Sequence, residues 1–338
     1  MSEEILSNFM NRLLEKAGRL SLLFPLLPLL VSSAAAQTGQ TTAKQEANTE
    51  TEKEGQVEAK NRSKLMKSHF ANGNQAMQDA QAIRQQLQAV TNDQKSTLLA
   101  RMKADYQTAI AEYQQAFEDI TVRDQNGVRV IGLVGLIRNG LVSQQKAVEM
   151  LVQDKDLPVI LSNLGMAYGG AGEYQEAITM LQQAAILKPA VGTYMELGTD
   201  LAQVGRMQEA TATCGKIPTV DTTAQKVPAG CYKNIGIVLM NDGKLAEAIA
   251  KLQKATELNP QDASAWKLLG DALSNTVTMK SKDGKIVYVI PAGTIEAYQK
   301  YLQLEPNGPY VGQVQSALEG FARLTKRVST PTEEKEKN

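Results

Sequence analysis

Of the 338 residues, 43% are apolar and 21% charged but only 5% aromatic, a balance that suits stacked repeats built on Leu and Ala. The 36 basic and 36 acidic residues cancel, so the chain lacks the net positive surface that displaces counterions from a nucleic acid. One histidine, His69, and two cysteines leave almost no material for a metal centre, which needs several such ligands converging, and no cofactor is expected.

Residues 1–36 place Arg12, Lys16 and Arg19 before an apolar run from Leu20 to Val31, which Pro25 and Pro28 interrupt, and then Ser32, Ser33 and Ala34 to Ala36. Charged, apolar and small-residue parts in this order predict a secretory signal peptide cut after Ala36. An uncleaved anchor would need about 20 apolar residues to span a bilayer, so no stable membrane span is expected after cleavage. The leader before Arg12 is long and acidic, and Met10 is an alternative start. Residues 37–62 hold Val57 as their one large aliphatic side chain and no aromatic, which predicts a disordered linker. An exported chain of this kind works in the periplasm or outside the cell.

Helical periodicity returns over residues 63–120. Phe70, Gly73 and Asn74 form one pattern and Ala109, Tyr113 and Ala116 a second, with 36 residues from Gly73 to Ala109. In the cleaner units further on, that interval is 12, so about 24 extra residues lengthen the helices or add another. Residues 121–157 span about one unit, with Ala147 and Leu151 as second-helix landmarks. They also carry an Asn126-Gly127 hairpin signal and three glycines, Gly132, Gly135 and Gly140, that weaken a helix. They are read as a degenerate repeat, and residues 63–157 together as divergent N-terminal helical repeats.

The first clean unit runs from Pro158, with Leu164, Gly165, Tyr168, Ala177, Leu181, Ala184 and Pro189. The same offsets recur at Gly236, Leu239, Ala248, Leu252, Ala255 and Pro260, with 24 residues from glycine to proline in both. Between them a poorer unit has Leu197, Gly198, Leu201, Gly205 and Ala210, but Cys214 holds the bulky second-helix position. Gly270 follows Gly236 by 34 and begins another, with Trp266, Leu269 and Leu273 around it; Gly270 to Pro306 is 36, so 12 residues are inserted between its helices. Thr276 to Lys280 and Lys285 to Ile290 flank Asp283-Gly284 and predict a short β-hairpin there. Tyr310 to Leu324 is a lone amphipathic helix suited to covering the end of a stack, and residues 326–338 are read as a disordered tail.

This order of small and bulky residues resembles the tetratricopeptide repeat (TPR) unit of 34 residues. With Asp283 to Lys285, Tyr298 to Leu302 and Asn307 to Tyr310, residues 158–324 further resemble a group of exported bacterial TPR proteins with an insertion in the last repeat. The resemblance implies an all-α fold, a right-handed α-solenoid of TPR helix pairs over residues 158–325 with a β-hairpin insertion and a C-terminal capping helix. It also implies a concave wall of first helices that binds a protein or peptide partner. Asn163, Met166, Glu196, Thr199, Lys233, Asn234, Ile237, Lys267 and Asp271 fall at its wall positions. Lys233 and Asn234 fit parts of the family's carboxylate clamp, but Met166, Thr199 and Ile237 stand where the clamp needs Asn, so a C-terminal carboxylate ligand is not expected. Asn163 and Asn234 could instead bond to the neighbouring backbone. Two other readings stand beside the scaffold: a glycan or envelope-polymer binding module, with Tyr194, Tyr232 and Trp266 near the wall, and a purely structural helical spacer.

No phosphate-binding Gly-rich loop, Gly-x-Ser-x-Gly elbow or His-Glu-x-x-His occurs, and a single histidine excludes most catalytic triads, so the chain is not read as an enzyme. The two cysteines are an even number in a chain read as exported. In the repeat register Cys214 lies on the second-helix face that meets the next unit, and Cys231 near the start of that unit's first helix. A disulfide between them is expected; the alternative is two small buried apolar side chains.

Overall fold

The computed structural model describes residues 41–87, 90–120, 122–123, 129–130, 154–220, 227–282 and 285–329. The signal segment expected over residues 1–36 lies outside them. Among the described residues the fold is all-α apart from two small antiparallel strand pairs, and it divides into two compact units at Lys188 and Pro189.

In the first unit, α1 (Thr41–Gln86) packs along α2 (Asn92–Glu118), and α2 packs on α3 (Leu157–Ala171), which pairs with α4 (Tyr174–Leu187). Ala76, Ala80 and Ile83 of α1 are buried, as are Tyr106, Ala109, Tyr113 and Phe117 of α2, at spacings that put each set on one helix face. The extra residues between Gly73 and Ala109 lengthen both helices rather than adding a third.

Two expectations change here. Residues 41–62, read as a disordered linker, lie in α1, because their Gln, Ala, Glu and Lys are strong helix formers that extend a helix already anchored by its packed half. The degenerate repeat expected over 121–157 begins with strands, β1 (Val122–Arg123) pairing antiparallel with β2 (Arg129–Val130), where β-branched valines favour strand over helix. Its other landmarks, Ala147 and Leu151, lie outside the described residues. Helices α3 and α4 lie in the first compact unit, where α3 packs on α2.

In the second unit, α5 (Val191–Gln203) pairs with α6 (Met207–Val220), α7 (Val227–Asn241) with α8 (Leu245–Leu258), and α9 (Ala263–Ser274) with α10 (Thr294–Leu304). First helix packs on first helix, α5 on α7 and α7 on α9. The 12-residue insertion between α9 and α10 forms β3 (Thr278–Lys282) and β4 (Lys285–Val289), in register from Thr278 opposite Val289 to Lys282 opposite Lys285. Helix α11 (Val311–Ser329) closes the unit by burying Val314 and Phe321 against Ala263, Tyr298 and Tyr301. The helix runs on to Ser329, past the start of the tail read as disordered; residues 330–338 lie outside the described set.

One packing rule holds each pair together. A first-helix glycine receives the bulky second-helix side chain: a Cβ at Gly165 would stand 2.6 Å from Leu181 Cγ, one at Gly236 2.7 Å from Leu252 Cγ, and one at Gly270 2.7 Å from Tyr298 Cδ1. Gly73 meets Tyr113 in the same way, at 2.6 Å from Cε1. Between α5 and α6 the bulky residue is missing, and sulfur fills the space: Cys214 and Cys231 are joined with their Cα atoms 5.7 Å apart, and a Cβ at Gly198 would meet both sulfurs, at 3.3 and 2.9 Å. The turns are equally regular. Gly172, Gly205 and Gly243 each take positive φ (86°, 79° and 72°) just past a first helix. The next residue donates back to the carbonyl five before it, as Glu173 does to Tyr168, Arg206 to Leu201 and Lys244 to Leu239.

Candidate binding surface

The polar residues at the wall positions are half-buried and engage one another across helices. In the first unit Asn163 Nδ2 on α3 donates to Asn74 Oδ1 on α1 at 3.1 Å, and Tyr113 OH donates to the same oxygen at 2.8 Å. Burial pushes the Tyr113 hydroxyl up to about 12, so it remains a donor. In the second unit Asn234 Nδ2 on α7 donates to Thr199 Oγ1 on α5 at 3.2 Å. Both asparagines stand two residues before their helix's glycine, and both acceptors stand one residue after theirs, so the two units use one device. Neither bond goes to the neighbouring backbone, the alternative that the sequence left open. Met166 on α3 and Ile237 on α7 are half-buried apolar side chains on the same helices.

The cations are paired. Lys233 Nζ is 2.8 Å from Asp262 Oδ2 and 2.8 Å from Ser264 Oγ at the start of α9. Asp262 caps that helix, accepting from the Ala265 N–H at 3.1 Å. Burial alone would raise its carboxyl, but hydrogen bonds from Lys233 and Ser264 outweigh that and hold it below the ordinary value. One turn along α9, Lys267 Nζ is 2.6 Å from Asp271 Oδ2 and 4.6 Å from the centroid of the Tyr310 ring. Tyr298 OH donates to Asp271 at 3.0 Å, and burial pushes that hydroxyl up to about 12. Glu196 on α5 is half-buried one turn before Asp200.

In the second unit, Glu196, Thr199, Lys233, Asn234, Ile237, Lys267 and Asp271 thus come from three first helices packed in series. Asn163 and Met166 belong to the first unit. Because Lys233 and Lys267 already face carboxylates, this surface offers hydrogen bonds and a few apolar contacts rather than an open cationic pocket. Trp266, counted near the wall, is partly buried against the core residues of α10 and α11 and donates from Nε1 to the Pro260 carbonyl at 2.9 Å.

Three residues of this region were missed from the sequence. Nothing in the spacing of Asp262 tied it to Lys233 on the preceding first helix. Tyr310 was noted in the capping motif, yet nothing in its spacing placed it over Lys267. Asp200 on α5 is 4% exposed, and its Oδ2 lacks a protein partner. Burial first, and the neighbouring Glu196 second, push its carboxyl up to about 8. An acidic residue among apolar ones on a helix reads as solvated, so no sequence signal marked it.

Residues 159–188 match a family model described as tetratricopeptide repeat, and residues 236–276 match one described as TPR repeat. The human protein O-mannosyl-transferase TMTC1 is 28% identical over 152 residues, 44% of this chain; the chain spans 16% of that relative's length. Among solved structures, MamA is 18% identical with a TM-score of 0.36, covering 61% of this chain and 92% of its own. A MamA fragment from Desulfovibrio magneticus RS-1, also 18% identical with a TM-score of 0.36, covers 68% and 97%. YrrB, described as a TPR protein with an unusual peptide-binding site, is 16% identical with a TM-score of 0.34, covering 70% and 99%. At TM-scores of that size the likenesses are partial, and they assign no residue a role.

Proposed function

The chain is a tetratricopeptide-repeat protein, and from that premise we propose that it is a non-catalytic scaffold that binds a protein or peptide partner along the first-helix wall of its second unit. The observation that carries the reading is the row of half-buried hydrogen-bonding side chains that α5, α7 and α9 present in series, Glu196 and Thr199, then Lys233 and Asn234, then Lys267 and Asp271, with Ile237 among them. Regularly spaced donors and acceptors on rigid helices suit an extended backbone, whose own groups repeat at a fixed interval. Asn163 and Met166 would serve the same end in the first unit. The packing of Trp266 against α10 and α11 leaves less of its ring for a sugar, which disfavours the glycan-binding alternative.

The reading includes export. The Cys214–Cys231 bond is of the kind that persists in oxidising compartments, and the N-terminal residues carry the parts of a signal peptide. No helix among the described residues is long and apolar enough to cross a membrane. Replacing Ile237 with a photo-crosslinking residue tests the binding reading: a defined protein partner captured from the native source supports it, and an uncrosslinked protein counts against it.

A further inference from the structure

The β3–β4 hairpin is not part of the helix-pair architecture, and its surface differs from the wall. Thr278 to Ser281 of β3 are all exposed, whereas β4 packs in part on α11, so β3 is the open edge of a two-stranded sheet. Alternate residues along an edge strand turn N–H and C=O groups away from the partner strand, and those groups template a further strand. Met279 and Tyr288 stand directly opposite each other across the ladder and are 66% and 39% exposed, a cross-strand apolar pair facing out. Lys280 lies next to Met279, and Lys282 and Lys285 face each other at the end of the ladder.

We propose that the β3 edge docks an extended acidic peptide segment, added as a third strand, with apolar side chains on Met279 and Tyr288 and carboxylates matched to the lysines that the β3 sequence carries, Lys280 foremost. This site is separate from the first-helix wall and stands or falls independently of it. The charge pattern selects the occupant. A second copy of the hairpin would bring lysine against lysine across the new pairing, whereas an acidic strand satisfies both the charges and the edge. A lipid surface could meet the lysines and Met279 but would leave the edge N–H and C=O groups unpaired by any strand. Lysines on a free edge also discourage indiscriminate pairing, which is the condition for selective pairing with an acidic strand.

The test is titration of the full chain with a fluorescent decapeptide alternating Val and Glu. Saturable binding is expected, weakened at least tenfold when Lys replaces Glu in the peptide and abolished when alternate peptide nitrogens are methylated, a change that removes strand pairing and leaves the charge. The variant K280E/K282E, which changes the exposed Lys280 and the lysine at the end of β3, should reverse the preference toward the Lys peptide. Asn234→Ala, which alters the wall, should leave this binding unchanged. Equal affinity for the methylated peptide, an unreversed preference in K280E/K282E, binding to anionic phosphatidylserine vesicles in place of the peptide, or hairpin-dependent dimerisation in ultracentrifugation would each overturn the proposal.

Discussion

Asp200 sets the clearest single-residue expectation. Its folded carboxyl titrates at about 8, above the ordinary carboxylate value of 3.8, because burial penalises the ionised form. The sign follows directly. Below the unfolded value both states hold the proton and the residue costs nothing; as pH rises toward the folded value the unfolded chain ionises and the folded one does not, so stability falls across that window and then levels. Thermal melting of the native protein should therefore show a midpoint that drops between about pH 4 and pH 8. Asp200→Asn should flatten that dependence, with a gain on the order of a few kcal/mol at the alkaline end. A native slope unchanged in the variant would show that Asp200 is not the group responsible. Ala177 and Ala248 define a second residue-scale expectation, since both are fully buried on second helices. Enlarging either to Leu should cost about 1–3 kcal/mol by overpacking, read as a lowered urea midpoint.

At the scale of elements, the glycine-to-bulky-residue contact explains what the sequence did and did not reveal. Gly165 with Leu181 and Gly236 with Leu252 lie 16 residues apart, and insertions lengthen that interval to Gly270 with Tyr298 and Gly73 with Tyr113. The spacing therefore exposed helix pairs, insertion lengths and the hairpin, because each is written in local sequence. Residues 41–62 were misread because polarity argues against burial, and a helix anchored at one end needs none. The cross-helix bonds of Asn163 and Asn234 and the placement of Tyr310 depended on which helices meet, and spacing within one unit does not report that. The Cys214–Cys231 bond ties α6 to α7, two residues before Lys233, and occupies the space that leucine fills in neighbouring pairs. Closing a sequence separation of 17, it should contribute about 3 kcal/mol in the chain-entropy picture. Protein purified from an oxidising compartment and denatured without reductant should show no free thiol, and Cys214→Ala/Cys231→Ala should unfold at lower urea; two titratable thiols would remove the bond from the account.

On the scale of the whole molecule, the two compact units share one construction, first helices whose glycines admit the second helices and whose polar side chains bond from pair to pair. Side chains held in place by such bonds would, under the proposed function, lower the entropic cost of binding an extended segment. The wall's lysines are already paired, so under the proposed function specificity would fall to hydrogen-bond spacing and to apolar contacts such as Ile237 rather than to net charge. The measurement that bears most directly on this is photo-crosslinking in the native source from position 237, with exposed Glu257 on a second helix as the control position. The account predicts a defined protein adduct from position 237 that is absent from position 257 and diminished by Asn234→Ala. Adducts of equal yield from both positions, or none from position 237, would contradict it.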